Sequence, residues 1–249
     1  MSHHIIEARN LRYAYPDGTE ALKGISFRIT HGEAVAVIGA NGSGKSTLLL
    51  HLGGALLPAD GEMRIGETPF TRRTASVVRR AVGLVFQDPD DQLFMPTVLE
   101  DVAFGPLNAG LPAEEVERRA SLALERVGML HLKDRPPYRL SAGEKRAVTI
   151  ATVLAMAPDI LVLDEPSSNL DSRGRRRLIG LLQSFEHTRI IATHDLEMAL
   201  EVCSRAIMLN EGRVTADGAV RDILNDTELM DACGLECPIS LRKKNGASL

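Results

Sequence analysis

The sequence predicts an α/β fold in which helices interrupt a single sheet-bearing core. Three observations carry this. Residues 34–38 form an unbroken apolar run that opens onto a glycine-rich turn and then a helix-like stretch at 45–52. Short apolar runs recur late in the chain, at 160–163, 190–192 and 206–209, each followed by helix-like or turn-like sequence. Such alternation is the mark of an α/β sheet. Between the two groups, from about residue 88 to residue 158, the pattern is largely helical, so a helical subdomain is inserted into the core.

Taken in order, Ile25, Phe27 and Ile29 alternate with polar neighbours, as a half-buried strand should. The run at 34–38 has no polar alternation and reads as a strand buried on both faces. A short apolar strand, residues 84–86, ends at Gln87, and the turn Asp88-Pro89-Asp90-Asp91 follows. In the inserted stretch Val116, Ala120, Ala123 and Val127 mark one face of a helix, and Ala147, Ile150, Ala151 and Leu154 mark another. The main domain is expected to cover residues 1–224, with a short extension from 225 to 249 that holds a helix over 226–232 and a polar end and reads as a frayed tail or as a dimer-stabilising segment.

The 249 residues suffice for one principal domain with a subdomain. With 44% hydrophobic and 25% charged residues, composition is that of an ordinary globular chain. The longest apolar stretch, 147–163, is interrupted by Pro158 and Asp159 and is too short to span a bilayer. No export signal is read at the start, so the cytoplasm is the expected compartment. A net charge of -4 argues against general nucleic-acid binding. Cys203, Cys233 and Cys237 are too few for a disulfide framework and read as ordinary thiols.

Gly39-Ala40-Asn41-Gly42-Ser43-Gly44-Lys45-Ser46 satisfies the P-loop pattern in its confirming context, between a buried strand and a helix. Backbone N–H groups of such a loop converge on phosphate oxygens, aided by the positive end of the following helix. Lys45 is then expected on the terminal phosphates of ATP, and the Ser46 hydroxyl on Mg²⁺, with Thr47 completing the nucleotide-binding stretch. The run 160–163 ends in Asp164 and Glu165, at the carboxyl end of its strand, where open α/β sheets bind ligands. Asp164 is the expected Mg²⁺ partner opposite Ser46, and Glu165 is placed to polarise an attacking water as general base.

Leu140-Ser141-Ala142-Gly143-Glu144 resembles the signature segment of the ABC ATPases, usually Leu-Ser-Gly-Gly-Gln. Gln87 resembles the Q-loop glutamine, residues 168–171 with Asp171 the D-loop, His194 the switch histidine, and Tyr15 the aromatic that stacks on adenine. All occur in family order over roughly the first 220 residues. The resemblance implies a P-loop NTPase core with N-terminal antiparallel strands and an inserted helical subdomain. It also implies a head-to-tail homodimer or heterodimer with a second ABC ATPase, in which Ser141, Ala142, Gly143 and Glu144 act in trans on the partner's nucleotide. Glu165, His194 and Gln87 would take part in hydrolysis, with Gln87 also at the Mg²⁺ ion.

Two departures bear on the signature. Ala142 stands where glycine is usual, a cost if that position needs positive φ, and Glu144 brings a carboxylate near phosphates. Ser141 and Glu144 also fit a helix-capping box, which alone would explain the pair.

After Gln87, the segment Asp-Pro-Asp-Asp-Gln-Leu-Phe, then Pro96-Thr97-Val98 and 100–106, resembles the ATPases of energy-coupling-factor importers, most closely the cobalt and nickel branch. That resemblance implies a transmembrane coupling subunit docking beside the Q-loop and a substrate-specific membrane subunit, with the ATPase at the cytoplasmic face of the membrane. Leu93, Phe94 and Met95 suit that contact, or else core packing. A vitamin importer of the same type, or a soluble ABC ATPase outside transport, would share these motifs.

Overall fold

The computed structural model describes residues 4–245. Strands β1 (His4–Ala14), β2 (Glu20–Thr30), β4 (Asp60–Ile65) and β5 (Thr68–Pro69) form an antiparallel sheet in the order β2-β1-β4-β5. Strands β3 (Ala34–Ile38), β6 (Val82–Val85), β7 (Ile160–Asp164), β8 (Thr188–Ala192), β9 (Arg205–Asn210) and β10 (Arg213–Ala219) form a second sheet ordered β10-β9-β3-β8-β7-β6. Its four pairings from β9 to β6 run parallel, and β10 closes one edge antiparallel.

The apolar runs divide residue by residue between two cores. Val35, Val37, Ile160, Val162 and Ile190 pack toward the antiparallel sheet and helix α1 (Lys45–Leu52). Ala36, Ile38, Leu161, Leu163 and Ile191 join the opposite core, built with the helices. A strand covered on both faces needs an apolar residue at each position, which is why these runs do not alternate.

Helix α2 (Ala75–Ala81) precedes β6, which begins two residues earlier than the apolar run suggests. Between β6 and β7 lie α3 (Val98–Asn108), α4 (Ala113–Arg126) and α5 (Ala142–Leu154). The buried face of α4 is Val116, Ala120, Ala123 and Leu124; Val127 sits at the helix end and is only partly covered. Capping boxes start both α3, through Thr97 and Glu100, and α5, through Ser141 and Glu144.

After β7 come α6 (Ser172–Ser184), α7 (Leu196–Val202), α8 (Val220–Asn225), α9 (Thr227–Ala232) and α10 (Ile239–Asn245). The helix expected over 226–232 forms as α9, and the expectation of a frayed extension is corrected as far as residue 242. Met230 and Cys233 are buried in the helical core, and Leu235 and Leu241 pack against it. The apolar residues there were numerous enough to dock, and docking ordered the segment.

Candidate active site

Parallel pairing puts the carboxyl ends of β3, β8, β7 and β6 side by side on one edge. At or just beyond the ends of those four strands stand Gly39 to Lys45, His194, Asp164 with Glu165, and Gln87. Topology alone thus gathers candidates scattered over more than half the chain.

The glycines of the first loop are required by space and conformation. A Cβ on Gly39 would lie 2.2 Å from the Leu209 carbonyl oxygen, and Gly44, with φ 104°, would bring one 2.6 Å from the Ala21 carbonyl. Gly44 ends the loop and α1 begins at Lys45. Lys45 is buried, and its Nζ donates to the carbonyl oxygens of Gly39 at 2.8 Å and Ala40 at 3.1 Å. Burial lowers its pKa, while the charges of Glu165 and Asp164 oppose that shift. Tyr15 is fixed by a 3.0 Å hydrogen bond between its hydroxyl and that of Thr47, and its ring meets Tyr13 edge-on at 5.2 Å. Tyr13 in turn rests edge-on against the buried ring of His51, whose Nδ1 donates to the Thr47 carbonyl at 2.7 Å.

Asp164 is buried, and its Oδ1 has no hydrogen-bond partner among the described residues. Burial raises its pKa; the Ser46 hydroxyl pulls the other way. A buried, unpartnered carboxylate oxygen beside a hydroxyl is a donor set for a hard cation, so these residues fit Mg²⁺.

Glu165 adopts φ 45°, a left-handed conformation uncommon outside glycine. Its amide donates to the Ala192 carbonyl at 2.9 Å, which anchors the turn on β8. The buried Oε2 accepts the His194 backbone N–H at 3.1 Å and lies 2.7 Å from His194 Nδ1. The His194 side chain is exposed, so this pair joins a sheltered carboxylate to an imidazole open to solvent.

Gln87 is exposed, and its backbone is held from below by Arg146, which the sequence reading did not single out. Arg146 is 2% exposed; it donates from Nη1 to the Phe86 carbonyl at 2.7 Å and from Nη2 to the Gln87 carbonyl. Burial lowers its pKa, opposed by the charges of Asp88, Asp164 and Glu165. Its signal was available: Arg146 stands four residues before Ile150, on the buried side of a helix. The same kind of burial marks Asp101, whose Oδ1 accepts the amides of Phe94 and Met95, each at 3.0 Å.

Ser141 and Glu144 form the capping box in full. Oε2 of Glu144 accepts both the amide and the hydroxyl of Ser141 at 2.8 Å, and the Glu144 amide donates back at 3.4 Å. These bonds, the Ser141 amide first, hold the Glu144 carboxyl below its ordinary pKa. Ala142 is the first residue of α5 and is not among the positive-φ residues, so the expected cost of replacing glycine does not arise. Residues 141–144 and Asp171 line one cavity of about 940 Å³, whose lining includes none of residues 39–47. The chain therefore brings the P-loop, Asp164, Glu165, His194 and Gln87 together and leaves the signature-like segment and Asp171 on a separate surface. Asp171 itself caps α6, its Oδ1 accepting the Gly174 amide at 2.7 Å.

The chain matches the ABC transporter family over residues 22–168. It is 65% identical over 242 residues to a Geobacter sulfurreducens protein provisionally named an ABC transporter ATP-binding protein, covering 97% of each chain. It is 48% identical to the energy-coupling factor transporter ATP-binding protein EcfA of Methanothermobacter thermautotrophicus, over 94% of this chain and 77% of that one. Among solved structures it resembles CbiO1 of Clostridium perfringens, part of the ABC transporter complex CbiONQ, with TM-score 0.81 and 39% identity over 98% of this chain and 100% of that one. Together, the P-loop fold, the Mg²⁺-fitting carboxylate and these likenesses give one conclusion: the chain belongs to the ABC transporter family, as an ATP-binding subunit that hydrolyses ATP with Mg²⁺.

Proposed function

We propose that this subunit drives uptake of cobalt or nickel in an energy-coupling-factor importer, at the cytoplasmic face of the membrane. Among the described residues no helix is long and apolar enough to cross a membrane, so the passage for the ion belongs to partner subunits. The observation that carries the reading is the surface after Gln87. Phe94 is 63% exposed and meets Phe104 edge-on at 4.9 Å, with Leu107 also exposed. Leu93 is buried instead, so the contact surface is narrower than residues 93–95 and extends onto α3. A buried carboxylate, Asp101, holds the two amides that present Phe94, so the aromatic pair is a built feature and not a stray exposure. Such a surface suits a helix of a transmembrane coupling subunit, which would work with a substrate-specific membrane subunit. The EcfA likeness supports the importer type, and the resemblance of the segment after Gln87 supports the metal branch. A vitamin importer is the second reading, because the EcfA likeness carries no metal in its name.

In hydrolysis, Gly39, Ala40, Asn41, Gly42, Ser43 and Gly44 would cradle the phosphates through backbone N–H groups, with Lys45, Ser46 and Thr47 completing the hold and Tyr15 stacking on adenine. Ser46, Asp164 and Gln87 would hold Mg²⁺, which would supply positive charge against the phosphates. Glu165 would accept the proton of the attacking water, and His194 would hold Glu165 in place and meet the terminal phosphate. Cassettes of this family pair as dimers, and the separation of residues 141–144 and Asp171 from the P-loop supports their acting on a partner's nucleotide. Homodimer and heterodimer serve this arrangement equally.

The deciding experiment is co-purification with the membrane partners, followed by ATP-dependent uptake of nickel, cobalt and several vitamins in vesicles. Uptake of either metal is the expected result; uptake of a vitamin alone would overturn the substrate.

A further inference from the structure

Of the four arginines in α6, only Arg175 has a carboxylate partner among the described residues. Its guanidinium forks onto Asp195, Nε to Oδ2 at 2.7 Å and Nη2 to Oδ1 at 3.0 Å, while Nη1 reaches Glu201 at 3.4 Å. Two parallel N–H···O bonds fix both distance and orientation, unlike a single ion contact. The side chains are 30% and 20% exposed, so water screens this pair less than it does a surface bridge.

The two ends of the fork lie at informative places. Arg175 stands one turn into α6, its amide donating at 2.9 Å to the carbonyl of Asp171, the residue that caps the helix. Asp195 immediately follows His194. It caps α7 by accepting the Met198 amide at 2.9 Å, and its own amide donates to the Thr193 hydroxyl at 3.0 Å. Burial would raise the Asp195 pKa, but Arg175 and the Met198 amide outweigh it and hold the carboxyl ionised and below its ordinary range. The preceding residue, His194, has its amide and ring both on Glu165. A continuous set of contacts therefore runs from the Asn169–Leu170–Asp171 turn, through α6 and the Arg175–Asp195 fork, to the His194–Glu165 pair. Asn169 in that turn has φ 62°, and all three turn residues line the cavity shared with Ser141 and Glu144.

We propose that Arg175 is a positioning residue for hydrolysis: its fork on Asp195 ties the turn before α6 to the strand-to-helix turn that carries His194, so that a shift at Asn169–Asp171 moves His194 relative to Glu165. This rests on the reading of Glu165 and His194 as the hydrolytic pair. A helix-to-helix staple with no role in turnover would share the same contacts, and the two differ in what is lost when the fork is cut.

The test uses the full chain. ATP turnover, ATP affinity and melting temperature are measured for wild type, Arg175→Ala, Arg175→Gln, Arg175→Lys, Asp195→Asn, the Arg175→Ala/Asp195→Asn double variant and Glu165→Gln. The expected result is a kcat lower by about tenfold to a hundredfold in Arg175→Ala and Arg175→Gln, with ATP affinity changed by no more than about threefold. Arg175→Lys should recover part of the loss, because lysine keeps the charge but not the fork. The double variant should be no slower than the slower single variant, since both cut one connection. Wild-type kcat in Arg175→Ala and Arg175→Gln, or a kcat loss matched by an equal loss of ATP affinity, would overturn the proposal. Glu165→Gln separates the two levels. Normal turnover there removes the hydrolytic pair itself, whereas a dead Glu165→Gln beside an unaffected Arg175→Ala removes only the positioning role.

Discussion

Oε2 of Glu165 is held twice by one residue, by the His194 amide at 3.1 Å and by His194 Nδ1 at 2.7 Å. The backbone contact survives any side-chain change at 194, so ring and amide contributions can be separated. His194→Ala should lower kcat by about a hundredfold while ATP affinity stays within about threefold, as loss of a catalytic-base partner does. Phosphate release at saturating ATP measures it, and an unchanged kcat would leave His194 without its proposed part.

Ala142 opens α5 without positive φ, so glycine offers it nothing. Restoring the usual glycine should destabilise the protein by about 0.5 to 1 kcal/mol through lost helix preference and leave turnover unimproved. Urea unfolding together with ATPase rates checks both halves; faster turnover in Ala142→Gly would contradict the geometry.

The Ser141 bonds hold the Glu144 carboxyl below its ordinary value of 4.5. A carboxyl with a lowered folded-state pKa adds stability above its unfolded value, and that stability is lost as pH falls through the folded one. Melting temperature should therefore fall less steeply with acidification in Glu144→Gln than in wild type, below pH 4.5. Because Glu144 is partly exposed, the difference is small, and parallel pH profiles would show that the capping box carries no ionic component.

Arg146 is the buried support beneath Phe86 and Gln87. Arg146→Met fills similar volume but strands two carbonyl oxygens, at about 1 to 3 kcal/mol for each buried group left unpaired. The loss should appear in chemical denaturation and, in the assembled transporter, as ATP hydrolysis poorly linked to transport. Unchanged stability would mean that water satisfies those carbonyls.

Met230 is fully buried in the helical core, outside the span expected to be the main domain. Met230→Ala should cost about 2 to 5 kcal/mol, as large-to-small changes in packed cores do. A variant as stable as wild type would show that α9 docks without contributing to the core.

What the sequence by itself determined were the features written in contiguous residues: the apolar runs of β3, β7, β8 and β9, the glycine loop before Lys45, the paired acids after residue 163, and the S-x-x-E cap at Ser141. Each depends on local periodicity, turn chemistry or capping, which neighbours along the chain suffice to specify. Tertiary structure decided what depends on strand order and burial. Only the order β3-β8-β7-β6 puts Lys45, His194, Glu165 and Gln87 on one edge. Only packing could show that Arg146 and Asp101 are buried supports, that Leu93 faces inward, and that the segment around Met230 docks instead of fraying. Charged and apolar residues look alike on the page whether a distant element covers them or not, and burial across long sequence separations is what fixes their role.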